Sequence, residues 1–220
     1  DALVNNAGVA DFGPIEETDF ARWRRVMETN LDGVFLMTQR ELDWFYGGGV
    51  GRFWPEVCDW FASFLPEDEH GDMIAAYAKR LFSGDRETEV KYAKAWSSWE
   101  NALASIGSNG VGGEPPGDYA RAFARLECHY FAHAGFLNAS QQILHPDQMA
   151  KIAHIPAVIV QGRYDMICPP AVAYKLMKSW ENSRIVMVAR AGHALSEPGI
   201  TAALVSSMDR YANEQSFVGV

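Results

Sequence analysis

Two short, wholly apolar runs near the C-terminus constrain the fold more than any other feature of the sequence. Ala157–Val160 and Ile185–Val188 are continuous apolar stretches of strand length, which is typical of parallel strands buried on both faces. Pro169 and Pro170 between them open a segment with helical spacing of apolar residues, and a second helical pattern, 200–211, follows. The order strand, helix, strand, helix predicts an α/β unit with a parallel sheet.

The composition limits the classes of partner that the chain can bind. Its 220 residues carry 28 acidic and 19 basic side chains, a net charge of −9, whereas nucleic acids and anionic membranes require a basic face. The apolar runs are too short to cross a bilayer. The three cysteines are odd in number and widely spaced, as reduced thiols usually are. With no secretory signal visible, we expect a cytoplasmic protein that binds neither nucleic acid nor membranes.

The character of the sequence changes twice along the chain. Residues 1–39 predict a short strand, a turn and an amphipathic helix. Residues 40–145 are rich in tryptophan and predict a helical cap, whereas 146–220 hold the strand–helix–strand–helix pattern. Within the cap, helical periodicity covers 73–82, 87–103 and 119–131. We therefore expect three parts, of which the first and last contribute strands with unpaired edges through which copies of the chain could associate.

Two polar residues follow the apolar runs at equivalent places. Asp165 comes after the first run and His193 after the second. Because the carboxyl ends of parallel strands meet at one edge of a sheet, we expect the two side chains to lie within hydrogen-bond distance. An Asp in that position fixes the tautomer of a His that acts as general base. Asp before His is also the order of the last two members of an α/β-hydrolase triad.

The N-terminal part carries a separate motif. Asn5-Asn6-Ala7-Gly8 follows a short strand, and Asn30 lies in the helix after it. This arrangement resembles the short-chain dehydrogenase/reductase family, whose matching residues Asn5, Ala7, Gly8 and Asn30 approach a nicotinamide cofactor. The family's glycine-rich phosphate turn is not found in the chain. We therefore expect no cofactor, with NAD(P) binding at those residues kept as the alternative.

Most of the remaining sequence resembles another family. Residues from about 33 to 212 are similar to the cap and C-terminal part of the prolyl aminopeptidases (proline iminopeptidases), serine hydrolases of the α/β-hydrolase fold. Matching stretches include 42–46, 93–100, 122–131, 155–165 and 192–199. The resemblance implies an incomplete α/β-hydrolase-type parallel sheet with a helical cap, preceded by a Rossmann-like strand–helix fragment. It also implies release of N-terminal proline from peptides.

The resemblance assigns roles to individual residues. Asp165 and His193 match the catalytic acid and base. Glu100 and Glu127 match acidic positions that hold the substrate's ammonium, which is sensible because a cationic amine needs carboxylates. The apolar wall of the proline slot corresponds to Phe35, Leu42, Phe45, Tyr46 and Phe131.

One departure from that family affects the expected activity. No G-x-S-x-G sequence, the turn that carries the nucleophile, occurs among the 220 residues. We therefore expect a chain that is inactive alone. The alternatives are a dehydrogenase-derived NAD(P)-binding protein and a non-catalytic remnant that self-associates. The spacing of Cys128, His129 and His133 permits a metal site on a helix, but the same segment matches the cap and we expect no metal.

Overall fold

The protein consists of two compact units. The helical unit is Thr38–Phe136, and the sheet unit combines Asp1–Met37 with Leu137–Val220. The structure is a computed structural model that describes the backbone of residues 4–5 and residues 42, 44–108, 110–214 and 217.

The described helices and strands follow one another in the order that the sequence patterns predict. In chain order they are β1 (Val4–Asn5), α1 (Pro55–Ala62), α2 (Met73–Leu81), α3 (Arg86–Leu103), α4 (Gly117–Ala132), α5 (Pro146–Ile152), β2 (Ala157–Gly162), α6 (Pro170–Ser179), β3 (Ser183–Val188) and α7 (Pro198–Glu214). Short 3-10 turns lie at Val50–Arg52, Glu67–Glu69, Ala134–Phe136 and Ala139–Gln141. None of the described helices is long and apolar enough to cross a membrane.

Aspartates begin two helices of the helical unit. The Asp72 side chain accepts a hydrogen bond from the Ala75 backbone at the start of α2, and Asp85 does the same for Thr88 at the start of α3. Each satisfies a backbone N–H that the helix itself cannot pair. Helix α2 packs against α1 through aromatic rings, with Phe61 of α1 stacked on Tyr77 of α2 at a ring-centroid distance of 4.2 Å.

A buried ion cluster joins α3 to α4. Glu89 is only 2% exposed, and its Oε2 accepts hydrogen bonds from Arg121 Nε at 2.6 Å and Arg125 Nη1 at 2.7 Å. Its Oε1 accepts the backbone N–H of Gly84 at 3.1 Å. A buried carboxylate is tolerated only with such partners. No pattern in the sequence predicts this cluster.

The sheet unit is built around β2. The strand order is β1-β2-β3, and both pairings are parallel, with Val4 opposite Val158 and Ile159 opposite Ile185. Adjacent parallel pairing of the two apolar runs was predicted and is confirmed. Alternate residues of β2 enter two different cores, since successive side chains point to opposite faces. One core contains Met149, Ala157, Ile159, Ala173, Leu176 and Trp180, and the other contains Val158, Val160, Ala191, Ile200, Leu204 and Phe217.

The burial of β3 differs from the prediction. All of β2 is buried, whereas β3 is partly exposed along its length and Arg184 is exposed. Among the described residues β3 pairs with β2 alone. A strand with one neighbour is covered less completely, so the apolar run Ile185–Val188 marked a strand correctly but not a strand buried on both faces.

Candidate active site

A close approach between two loops shapes the edge of the sheet unit beyond β2 and β3. Arg163 N donates to Val188 O and Tyr164 N donates to Ala191 O, both at 2.9 Å. A Cβ atom at Gly162 would lie 1.9 Å from Gly192 O. Only glycine fits there, because no side-chain carbon tolerates that distance. The loops after the two strands are therefore held against each other.

This packing places Asp165 and His193 side by side. His193 Nδ1 lies 3.1 Å from Asp165 Oδ2, so the predicted contact between them is confirmed. Asp165 is 3% exposed, whereas the His193 side chain is 30% exposed. A buried carboxylate beside an accessible imidazole is the arrangement that orients a general base.

Further donors converge on the Asp165 carboxylate. Oδ1 accepts the backbone N–H groups of Ile167 at 3.0 Å and Cys168 at 2.8 Å, and Oδ2 accepts Gln161 Nε2 at 3.1 Å. With these donors in place the carboxylate acts as acceptor toward His193 Nδ1. Nε2 is then the ring nitrogen that can accept a proton from a substrate or nucleophile.

Glu197 and Gln161 support this arrangement, and sequence reasoning missed both roles. Glu197 is buried, its Oε1 accepts the Gly192 backbone N–H at 2.9 Å, and its carbonyl accepts the N–H of Ile200 at the start of α7. It thereby joins the loop that carries His193 to the following helix. A signal for Gln161 was available, since it is a polar residue directly after an apolar run.

The helical unit brings together a second group of predicted residues. Tyr46 donates its hydroxyl hydrogen to Glu100 Oε1 at 3.2 Å, and Trp96 Nε1 donates to Glu127 Oε2 at 2.9 Å. Glu100 and Trp96 lie four residues apart on α3, so they share one face of the helix. That spacing could have identified Trp96, which sequence reasoning placed only within a matching stretch.

Aromatic rings surround these carboxylates. The centroid of the Tyr46 ring lies 5.1 Å from that of Trp96 and 5.9 Å from that of Phe131. Phe45 is buried and makes an edge contact with Tyr46 at 4.9 Å. The Leu42 carbonyl accepts the Tyr46 backbone N–H. The structure therefore groups Glu100, Glu127 and most of the predicted wall, whereas Phe35 lies outside the described residues.

The two carboxyl groups are electrostatically unfavourable neighbours. Burial, followed by the charge of Glu127 and a hydrogen bond with it, raises the pKa of Glu100 well above its usual value. Burial and the Glu100 charge likewise raise the pKa of the Tyr46 hydroxyl. Two like charges in a poorly hydrated place favour a shared proton or a bound cation. The group is thus suited to an ammonium ion.

The residues of the alternative cofactor site and of the metal-type spacing are described only in part. Asn5 is described only as backbone in β1, and Ala7, Gly8 and Asn30 lie outside the described residues. Within the described ranges no set of three His, Cys, Asp or Glu side chains could hold a metal ion. Cys128 instead is buried and directs its thiol to the Ile74 carbonyl.

Comparison with known proteins gives family matches to two segments of the chain. The short chain dehydrogenase family matches residues 1–53, and the family described as TAP-like protein matches residues 120–216. The probable proline iminopeptidase of Leptolyngbya boryana is 40% identical over 192 residues, 84% of this chain and 58% of that protein. The proline iminopeptidase of Arabidopsis thaliana is 40% identical over 183 residues, covering 82% of this chain and 48% of its own length. That of Xanthomonas citri is 38% identical over 184 residues, 83% of this chain and 58% of that protein.

These matches confirm both resemblances predicted from the sequence. The chain spans 48 to 58% of the length of these relatives. The dehydrogenase match extends further than expected, to residue 53 rather than 39. The chain is therefore similar to the α/β-hydrolase proline iminopeptidases over most of its length and to the short chain dehydrogenases over its first 53 residues.

Proposed function

We propose that the chain carries the general base and the amine-binding carboxylates of a prolyl aminopeptidase-like serine hydrolase, which releases N-terminal proline from peptides. The hydrogen bond between His193 Nδ1 and buried Asp165 carries this proposal. His193 Nε2 takes the proton of a serine hydroxyl, and Asp165 stabilises the imidazolium that forms. The similarity to proline iminopeptidases supplies the substrate class.

The carboxylates of the helical unit provide the second part of the proposal. Glu100 and Glu127 hold the substrate's ammonium, because burial and the Glu127 charge raise the pKa of Glu100 and a bound cation offsets both effects. Tyr46, Phe45, Phe131 and Leu42, with Phe35, form the apolar wall for the proline ring. Trp96 adds a ring to that wall and holds Glu127 in place.

We propose further that these 220 residues are inactive alone. They contain no G-x-S-x-G sequence, and loss of the nucleophile typically lowers the turnover of a serine hydrolase on the order of a million-fold. The test is hydrolysis of proline 4-nitroanilide by the purified chain and by its His193→Ala variant. We expect no release above the blank for either protein. Turnover that disappears in the variant would show that a serine outside this motif, or one from a partner subunit, serves His193.

The dehydrogenase-like segment supports a second candidate function, NAD(P) binding. The match over residues 1–53 favours it, with Asn5, Ala7, Gly8 and Asn30 as the contacting residues. Without a phosphate turn the pyrophosphate lacks its backbone donors, so we expect no saturable binding in a fluorescence titration with NADH or NADPH. Saturable binding that is lost in an Asn30→Ala variant would favour this function instead.

Association through the sheet edge is the remaining part of the proposal. Among the described residues β3 pairs on one side only, and an unpaired strand edge is a template for another chain. We expect light scattering to report a mass that rises with concentration. A monodisperse monomer at every concentration tested would contradict self-association.

A further inference from the structure

A surface pocket of about 450 Å³ lies on the helical unit, away from the residues assigned above. It is lined by Phe82, Arg121, Ala122, Arg125, Leu126 and His129. Five of these residues belong to α4, and among them His129 lies in its last turn. Arg121, Arg125 and His129 recur every four residues, so they form one face of the helix. At 100° per residue, Glu127 points to the other side of α4.

The charge of this pocket is positive. None of its six lining residues is acidic, and the carboxylate that accepts hydrogen bonds from both arginines, Glu89, is buried. One Glu89 oxygen accepts hydrogen bonds from both Arg121 and Arg125, so two guanidinium groups face a single carboxylate. The excess positive charge stands out in a chain with a net charge of −9.

The arginines are held in position rather than extended into solvent. Glu89 fixes both guanidinium groups from below, and the Arg125 guanidinium lies 5.0 Å from the centroid of the Phe82 ring. Each arginine side chain still exposes about a third of its surface, 32% for Arg121 and 31% for Arg125. A planar guanidinium with fixed orientation is suited to a carboxylate or phosphate.

The rest of the pocket is apolar. Phe82 is 43% exposed and Leu126 is 51% exposed, and the imidazole of His129 lies 6.3 Å from the Phe82 ring. Exposed apolar side chains next to fixed cations match a ligand that has both an anionic group and an apolar body.

We propose that this pocket binds a small organic oxyanion, a carboxylate or phosphate attached to an aromatic or similarly apolar group. Arg121, Arg125 and His129 contact the oxyanion, and Phe82 with Leu126 contacts the apolar body. The site is distinct from the Glu100 and Glu127 carboxylates, which favour a cation. It stands independently of the hydrolase proposal.

The test is an NMR titration of the arginine side-chain N–H signals of the whole chain at low salt. Benzoate and phenyl phosphate are the two anionic probes, and the tighter of them identifies the preferred oxyanion. We expect saturable shifts with at least one of them and binding about tenfold weaker for inorganic phosphate, which lacks the apolar body. Benzyl alcohol, which lacks the charge, is expected to leave the arginine signals unchanged.

A variant that introduces a negative charge tests the location of the site. Leu126→Glu places a carboxylate in the pocket at an exposed position, so the fold is kept, and it should weaken binding at least about tenfold. Ser206→Glu adds the same charge at an exposed position of α7 and should leave the affinity unchanged. Absence of saturable shifts with both aromatic anions would overturn the proposal, and so would unchanged affinity in Leu126→Glu.

Discussion

The two groups of proposed site residues satisfy their charges in opposite ways. The Asp165 carboxylate accepts two backbone N–H groups, the Gln161 amide and the His193 ring. The carboxyl groups of Glu100 and Glu127 are neighbours; Tyr46 donates its hydroxyl hydrogen to Glu100, and Trp96 donates its indole N–H to Glu127. The Asp165 carboxylate is therefore surrounded by donors from the fold, whereas burial and the neighbouring Glu127 charge raise the pKa of Glu100.

This difference indicates whether each group of residues depends on a nucleophile or a substrate. Asp165 and His193 are placed by strand ends and loop backbone, so their geometry requires neither a nucleophile nor a substrate. The raised pKa of Glu100 shows that the pair in the helical unit becomes fully ionised only at a cost. A preformed Asp–His contact and two neighbouring buried carboxyl groups are consistent with the catalytic and recognition roles proposed above.

The largest expected effect comes from breaking the strand-end geometry itself. In Gly162→Ala the new Cβ would lie 1.9 Å from Gly192 O and 2.6 Å from Ala191 O. Because both atoms belong to the backbone, the loops must separate, and we expect the free energy of unfolding to fall by about 3 kcal/mol or more. Urea denaturation measures the loss.

Gly107→Ala is the matched control for that substitution. A Cβ at Gly107 meets no atom within 4 Å, so its effect should stay within about 0.5 kcal/mol. Equal stability of Gly162→Ala and the unchanged chain would show that the two loops do not pack as described.

Asp165 and His193 should differ in how much each contributes to the free energy of unfolding. Asp165→Ala leaves the N–H groups of Ile167 and Cys168 and the amide of Gln161 without their acceptor, which should cost about 2 to 3 kcal/mol. His193→Ala removes a partly exposed ring and leaves those bonds intact, so we expect less than about 1 kcal/mol. Thermal and urea unfolding of both variants give the comparison. A larger loss for His193→Ala would contradict the view that Asp165 anchors the loop.

Substitution of Glu100 should stabilise the chain, in contrast to the losses expected for the variants above. The pKa of Glu100 in the folded chain lies above the usual 4.5, so folding favours its protonated form. The free energy of unfolding therefore falls as the pH rises from 4.5 toward the raised pKa of the folded chain. Glu100→Gln removes that penalty. We therefore expect a gain on the order of 1 kcal/mol at the alkaline end, which shrinks as the pH falls toward 4.5.

Unfolding curves across this pH range measure the effect of Glu100→Gln. Glu87→Gln removes the same charge from an exposed position of the same helix and should leave stability within about 0.5 kcal/mol at every pH. A loss of stability in Glu100→Gln at alkaline pH would mean that the pair is not repulsive.

The features predicted most closely from the sequence are those that follow from a single physical rule. Apolar runs and helical periodicity predicted β2, α3, α4 and α6 closely, and the equivalent positions of Asp165 and His193 after two parallel strands predicted their contact. Such features depend on neighbours in sequence or on the geometry common to all parallel sheets.

Features that depend on distant partners were missed or placed less well. The exposure of β3 depends on how many strands flank it, which the run Ile185–Val188 cannot reveal. Glu89 appears in the sequence as one acidic residue of a helix, and only packing of α3 against α4 pairs it with Arg121 and Arg125. The backbone contact of Glu197 likewise depends on the fold of the loop before α7.

The most direct test of the central claim is whether the helical-unit carboxylates bind the ammonium of a proline derivative. L-prolinamide carries that ammonium at neutral pH, whereas N-acetyl-L-prolinamide has the same ring without the charge. We predict weak, saturable binding of L-prolinamide by calorimetry, binding at least about tenfold weaker in Glu100→Gln, unchanged binding in Glu87→Gln, and no binding of the acetylated compound. Equal binding of the two compounds, or unchanged affinity in Glu100→Gln, would contradict the account.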